Sequence, residues 1–262
     1  MYLSIAARAF QSRLAYRSQV WASFFGQTIQ ILARIAIWTA AYAGTASVEG
    51  VSLDDMVTYS ILAGTVLAAW YYEALIQDIG TSVKTGDVAV FLLKPIRYPL
   101  YLFSSAFGEF AFRITAVVLP VVIVISFIYG LQPPASLFHG LMFASFWLLS
   151  FIILFELAAT CGLLSFWLLT SFSLTYFLQG VIALFSGSLV PLWFFPPAFE
   201  AVARLLPFAW IAYYPVAVYL GQLGVEETLL FFAFGLGWAG LLALGIAMLW
   251  ARASMRLIVQ GG

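Results

Sequence analysis

Residues 114–155 read ITAVVLPVVIVISFIYGLQPPASLFHGLMFASFWLLSFIILF, and no Asp, Glu, Lys or Arg interrupts them. A helix needs about 20 residues to cross a hydrocarbon layer roughly 30 Å thick, so this run is about twice the length of one span. Its break is predicted at Gly130-Leu131-Gln132-Pro133-Pro134, because proline removes a hydrogen-bond donor and restricts the residue before it. A second uncharged run, Leu157 to Phe199, is equally long, and the polar Thr170-Ser171-Phe172-Ser173 patch is its predicted turn.

Outward from these runs the composition agrees. The 262 residues are 64% hydrophobic, 18% aromatic and 8% charged, whereas soluble domains carry roughly 25% charged residues. Too few polar side chains exist to cover a water-facing surface, which excludes a soluble globular domain. Eleven Lys+Arg balance eleven Asp+Glu, so there is no general basic field for nucleic acid. The lone Cys161 offers neither an internal disulfide nor a thiolate cluster. His139 is the one histidine and receives no role.

The predicted class is an all-α membrane protein with six transmembrane helices, at about 21–44, 56–79, 109–130, 138–166, 172–191 and 227–250. No repeat, low-complexity tract or long linker divides the chain, so residues 1–262 form one membrane domain. Arg8, Arg13 and Arg17 precede the first span, Lys84, Lys94 and Arg97 lie between the second and third, and Arg252 and Arg256 follow the last. The opposite loops hold Glu49, Asp54, Asp55, Glu200, Glu226 and Glu227, with Arg204 their only basic residue. The positive-inside rule then places both termini in the cytoplasm. A cleavable secretory signal is the competing account of the N-terminus, with Ala41-Tyr42-Ala43 resembling a cleavage site. The apolar stretch is too long for such a signal and contains Arg34. Before it, Leu3, Ala7, Phe10 and Leu14 repeat at helical spacing beside the three arginines, as in an interfacial helix over about 1–18. An ordinary basic flank is the alternative.

Three segments invite a functional reading. In the cytoplasmic stretch 80–97, Asp87 is placed as an N-cap and Val88 to Leu93 as one or two helical turns that Lys94-Pro95 ends. Exposure of Phe91, Leu92 and Leu93 would suit a partner groove, or else the hairpin lies on the membrane surface. At the other end, 187–221 is dense in aromatics and prolines: Pro191, Trp193, Phe194, Phe195, Pro196 and Pro197, then Pro207, Trp210, Tyr213, Tyr214 and Pro215. Two short broken helices that dip into the bilayer are expected over about 191–221, with Glu200 and Arg204 paired at i and i+4. Within the spans, Arg34 is costly to insert, and Glu73 and Glu156 are its expected ion-pair partners, with substrate contact the other reading. Glu109 and Arg113 are expected to pair locally. Ala233, Gly237, Ala239 and Ala243 have the spacing of a close helix approach.

A phosphate-binding G-x-x-x-x-G-K-[ST] and a zinc-binding H-E-x-x-H are both absent from the sequence, so enzyme readings are poor. The basic helix at Arg8 to Arg17, the segment Gly86-Asp87-Val88 through Leu92-Leu93-Lys94-Pro95-Ile96, and Phe185-Ser186-Gly187 through Pro191-Leu192-Trp193-Phe194-Phe195-Pro196 with Leu206-Pro207-Phe208 resemble the permease subunits of type-2 ATP-binding-cassette exporters, in the six-helix bacterial branch. The resemblance runs over essentially the whole chain. It implies a coupling helix within 80–97 (Asp87, Phe91, Leu92, Lys94, Pro95) that docks on a separate ATPase present in two copies. It also implies outer re-entrant helices over 191–221 (Pro191, Trp193, Phe194, Phe195, Pro196) that gate an exit, and a pathway lined by the first, second and fifth spans and closed by a second, related permease or a second copy. No cofactor is expected on this chain, ATP and Mg belonging to the ATPase, and the implied location is the bacterial inner membrane. Buried carboxylates among aromatic rings suggest an amphipathic or lipophilic cation as cargo, peptides and glycolipids being the other options. The competing functional readings are a self-contained channel or secondary transporter, for which the inverted repeats and midplane helix breaks of that class are not evident in the sequence, and a non-transporting membrane anchor.

Overall fold

The computed structural model describes residues 1–45 and 47–260, without the side chains of Leu92 and of residues 256–260. The chain is helical almost throughout. Helix α1 covers Tyr2–Arg13 and α2 Arg17–Ala41. A hairpin of two-residue strands follows, β1 Ser47–Val48 antiparallel to β2 Val51–Ser52. Its turn, Glu49-Gly50, takes positive φ at both positions, the backbone hand that matches strand twist. Ser52 then caps α3 (Leu53–Ala68): its hydroxyl accepts from the Asp55 N–H at 3.1 Å while the Ser52 N–H donates to the Asp55 carboxylate at 3.0 Å, a reciprocal arrangement that satisfies two orphan donors.

Five helices among the described residues are long and apolar enough to cross a membrane: Arg17–Ala41, Leu53–Thr85, Tyr98–Tyr129, Leu137–Leu168 and Val225–Met255. The predicted break before Pro133 and the predicted turn near Ser171 both appear. Helix α7 starts at Leu137 behind the Ser136 cap, and at its far end Leu169 adopts φ 53° before α8 (Phe172–Phe185) begins. The expected span 172–191 is helical only to Phe185, and fourteen residues rise about 21 Å, short of a bilayer core.

Two of the long helices are irregular. The second breaks at residues 69–71, so that α3 gives way to α4 (Tyr72–Thr85); no Gly or Pro marks the place. The third runs as α5 (Tyr98–Arg113), a π turn Ile114–Val118 and α6 (Leu119–Tyr129). Pro120 explains the widened turn, since it cannot donate back to the preceding turn and its ring needs room. After α8 come the short helices α9 (Pro197–Leu205) and α10 (Tyr213–Tyr219), with 3-10 turns at Leu192–Phe194 and Pro207–Trp210, and then the long α11 (Val225–Gln260).

Helix α7 is the post of the fold. Phe146, Leu149, Ile153, Ala158 and Leu163 along it are buried against α4, α10 and α11. The α4 seam is closed by two glycines: a Cβ at Gly162 would stand 3.0 Å from Ile79 Cβ, and one at Gly80 would collide with Ser171. On α11 the small residue that meets the bundle is Gly235, under Trp210 and Leu149. Ala233, Gly237 and Ala243 face outward, and Ala239 is half-buried, so the expected small-residue seam is not where this helix packs in the chain. Helix α1 lies on α5, where a Cβ at Gly108 would collide with the Ala6 carbonyl. Leu3, Ala7 and Leu14 point away from that contact and stay exposed.

Candidate functional site

Helices α2, α3, α4 and α8 line an open cavity of about 310 Å³ beside the 69–71 break, whose wall mixes polar and apolar side chains. Gln27, Gln30 and Arg34 lie at i, i+3 and i+7 on α2 and so share one face. Glu73 enters from the first turn of α4 and Gln179 from α8. The Gln179 amide donates to Glu73 Oε1 at 3.1 Å, which fixes the carboxylate without a cation.

The ion pair expected for Arg34 is not formed among the described residues. Its Nη1 donates instead to the Ser188 carbonyl at 2.9 Å, and Glu73 is held by Gln179. Glu156 lies on the other side of the bundle, against α5 and α11. The reason lies past α8. Its C-terminus opens into bends at 186–190 whose carbonyls leave the helix unsatisfied, and each needs a donor. Arg34 serves Ser188, the Tyr59 hydroxyl donates to the Gly187 carbonyl at 2.7 Å, and the Tyr213 N–H donates to the Ser186 carbonyl at 2.9 Å. Three separate elements thus grip one short segment.

A second buried arginine repairs the other backbone break. Arg113 Nε donates to the Ala68 carbonyl at 2.8 Å, and its guanidinium lies 3.6 Å from the centre of the Tyr71 ring. Its expected partner, Glu109, pairs with Arg13 of α1 at 3.0 Å. The local Glu109–Arg113 pair is therefore replaced by one link between helices and one link to backbone. Ser23 on α2 adds a 3.0 Å hydrogen bond with the Tyr71 hydroxyl.

The aromatic segment packs against α2 and α3. Trp193 packs edge-on to Tyr59 with ring centres 5.2 Å apart, and Phe194 stacks on Trp38 of α2 at 5.5 Å. Phe195 meets Phe199 at 5.1 Å, Pro191 is buried and Pro196 exposed. Glu200 and Arg204 pair at 2.7 Å as expected, and Arg204 also donates to the Tyr213 hydroxyl at 2.6 Å. The Glu200–Arg204 ion pair leaves the cluster without net charge.

At the opposite end, α4 terminates at Gly86 in the left-handed conformation (φ 81°) and a 3-10 helix, Asp87–Leu93, follows. Gly86 occupies the cap position expected for Asp87. The Asp87 carboxylate accepts from the Thr85 hydroxyl at 2.6 Å. Phe91 turns inward onto Tyr98 and Tyr101, at 4.8 and 4.9 Å, with the Lys94 ammonium 4.8 Å above its ring. Pro95 is exposed, and the side chain of Leu92 lies outside the described residues. Val90 and Leu93, 48% and 87% exposed, are the large apolar side chains exposed among this turn's described residues.

Residues 28–261 of this membrane helix bundle match the model described as ABC-2 family transporter protein. The chain belongs to that family. No curated protein matches the sequence significantly. This ABC-2 protein carries residues that an inventory of charges alone overlooks: Tyr59, Ser188 and the amides Gln27, Gln30 and Gln179. The amides did leave a trace in the sequence, as polar side chains inside apolar runs. The roles of Tyr59 and Ser188 left none, because each depends on backbone groups brought there from elsewhere in the fold.

Proposed function

We propose that this ABC-2 protein is the membrane permease of an ATP-driven exporter, one half of a translocation pathway worked by a separate ATPase in two copies. The observation that carries the proposal is the Asp87–Leu93 turn, which offers Val90 and Leu93 to water at the end of α4, the helix that also carries Glu73 into the polar cavity. A monomer gains nothing from such exposure, whereas a partner groove would bury it. A push on that turn travels along α4 to the cavity wall, because glycine-tight packing of α4 on α7 leaves little slack.

In this proposal α8 with residues 186–190 makes a shortened fifth span, α11 is the sixth, and the basic end of the bundle is cytoplasmic. Helices α9 and α10 then re-enter the outer leaflet, and the membrane is the bacterial inner membrane. The cavity of α2, α4 and α8 opens sideways, so a second, related permease or a second copy would complete it. Glu73 and the neighbouring amides favour an amphipathic or lipophilic cation as cargo. The test is purification of the tagged chain from native membranes with identification of the co-eluting proteins. An ABC ATPase accompanies the wild type and is lost from Leu93→Asp, while membrane insertion is unchanged. Transport by the chain alone, reconstituted without nucleotide, overturns the proposal.

A further inference from the structure

A second cavity lies on the opposite flank of the bundle, between α5, α7 and α11, with a volume of about 610 Å³. Its wall is almost wholly apolar, built from Phe103 and Phe155, whose ring centres are 5.1 Å apart, and from Trp250 and Ala247. Glu156 lines it and is 6% exposed. Its Oε2 is buried without a hydrogen-bond partner, and no described residue forms an ion pair with the carboxylate. A buried carboxylate left unpaired is costly; no cation meets this one among the described residues, and a bound cation would offset that cost.

Arg97, the other charged lining residue, does not supply it. It sits just before α5, exposed, and forms no ion pair with Glu156. The unmet demand in the crevice is thus for positive charge, among aromatic faces that favour a cation, in a volume that suits a small organic molecule. Ala243 and Ala247 are exposed at the mouth, so the crevice opens toward the surface that lipid covers.

We propose that this crevice is a binding site for a monovalent organic cation with an apolar body, taken from the membrane and held by Glu156 against Phe103, Phe155 and Trp250. It is separate from the α2, α4 and α8 cavity and needs no ATPase. A phospholipid tail would fill the volume yet leave the carboxylate unpaired.

The experiment uses the purified full chain in phosphatidylcholine nanodiscs, titrated with radiolabelled tetraphenylphosphonium in the absence of nucleotide. Saturable binding is expected, weakened at least about tenfold by the near-isosteric Glu156→Gln. Ala247→Trp, which fills the crevice from its exposed side, removes it, and Ala233→Trp, on the same helix away from the crevice, keeps the wild-type affinity. Neutral triphenylphosphine oxide does not compete. A benzophenone-bearing phosphonium crosslinks to residues within 97–103, 152–156 or 243–250. Superimposable curves for wild type and Glu156→Gln overturn the proposal, as does competition by the neutral probe, which marks a lipid-tail pocket. Crosslinks confined to α2 and α8 overturn it too. Because no ATPase is present, each of these results leaves the coupling proposal standing, and loss of ATPase co-purification leaves these results standing.

Discussion

The two cavities treat charge in opposite ways. In the polar one, Arg34 and Glu73 are both anchored by neutral partners, the Ser188 carbonyl and the Gln179 amide. In the apolar one, Glu156 Oε2 finds no partner among the described residues. The difference teaches that an intramembrane charge need not be matched by an opposite charge. Where helices break, loose carbonyls and polar side chains can satisfy it, and where helices run unbroken nothing can. The first cavity adjoins the break at 69–71 and the unwound 186–190 segment; at Glu156 the second is walled by the uninterrupted α7 and α11.

The seam of α4 on α7 separates the two regions, so the most damaging single change should fall there. Gly162→Leu places a side chain where even a Cβ approaches Ile79. Overpacking of this kind costs about 1–3 kcal/mol or more, so a large fall in the detergent melting temperature and loss of binding on both flanks are expected. A normal melting temperature would mean the seam is soft and the flanks are not held apart by packing.

A smaller and more selective effect is expected at Glu73. The Gln variant can still accept from Gln179, so the fold should survive, while the loss of one charge-assisted contact, about 1.5 kcal/mol, lowers lipophilic-cation efflux roughly tenfold. Wild-type efflux from Glu73→Gln would blur the comparison, since it would leave the polar cavity without a charge requirement. The mildest expected change lies outside both flanks. Ser52→Ala removes the α3 cap and should cost about 1 kcal/mol, read as a small melting shift with efflux retained. An efflux defect there would extend the functional region to the hairpin.

Much of the architecture could be read from residue order. Helical breaks at Pro133-Pro134 and at the Thr170–Ser173 patch, the paired Glu200 and Arg204, and the two short helices in the proline-rich segment all depend on near neighbours. The chain break at 69–71 could not be read, because Trp70-Tyr71-Tyr72 contains no breaker. Its repair by Arg113 comes from a residue more than forty positions away. Phe91 likewise looked free in the sequence and is taken up by Tyr98 and Tyr101.

What the sequence determined by itself is that the solvent is lipid and where most helices must start and stop, because hydropathy and proline or glycine stereochemistry act within a few residues. Which partner each buried charge takes, and that Glu156 Oε2 meets none among the described residues, follows from how distant segments pack. Hydrogen bonds at membrane depth go to whatever donor or acceptor the folded chain brings within about 3 Å, and that neighbour can lie 154 residues distant, as Ser188 does from Arg34.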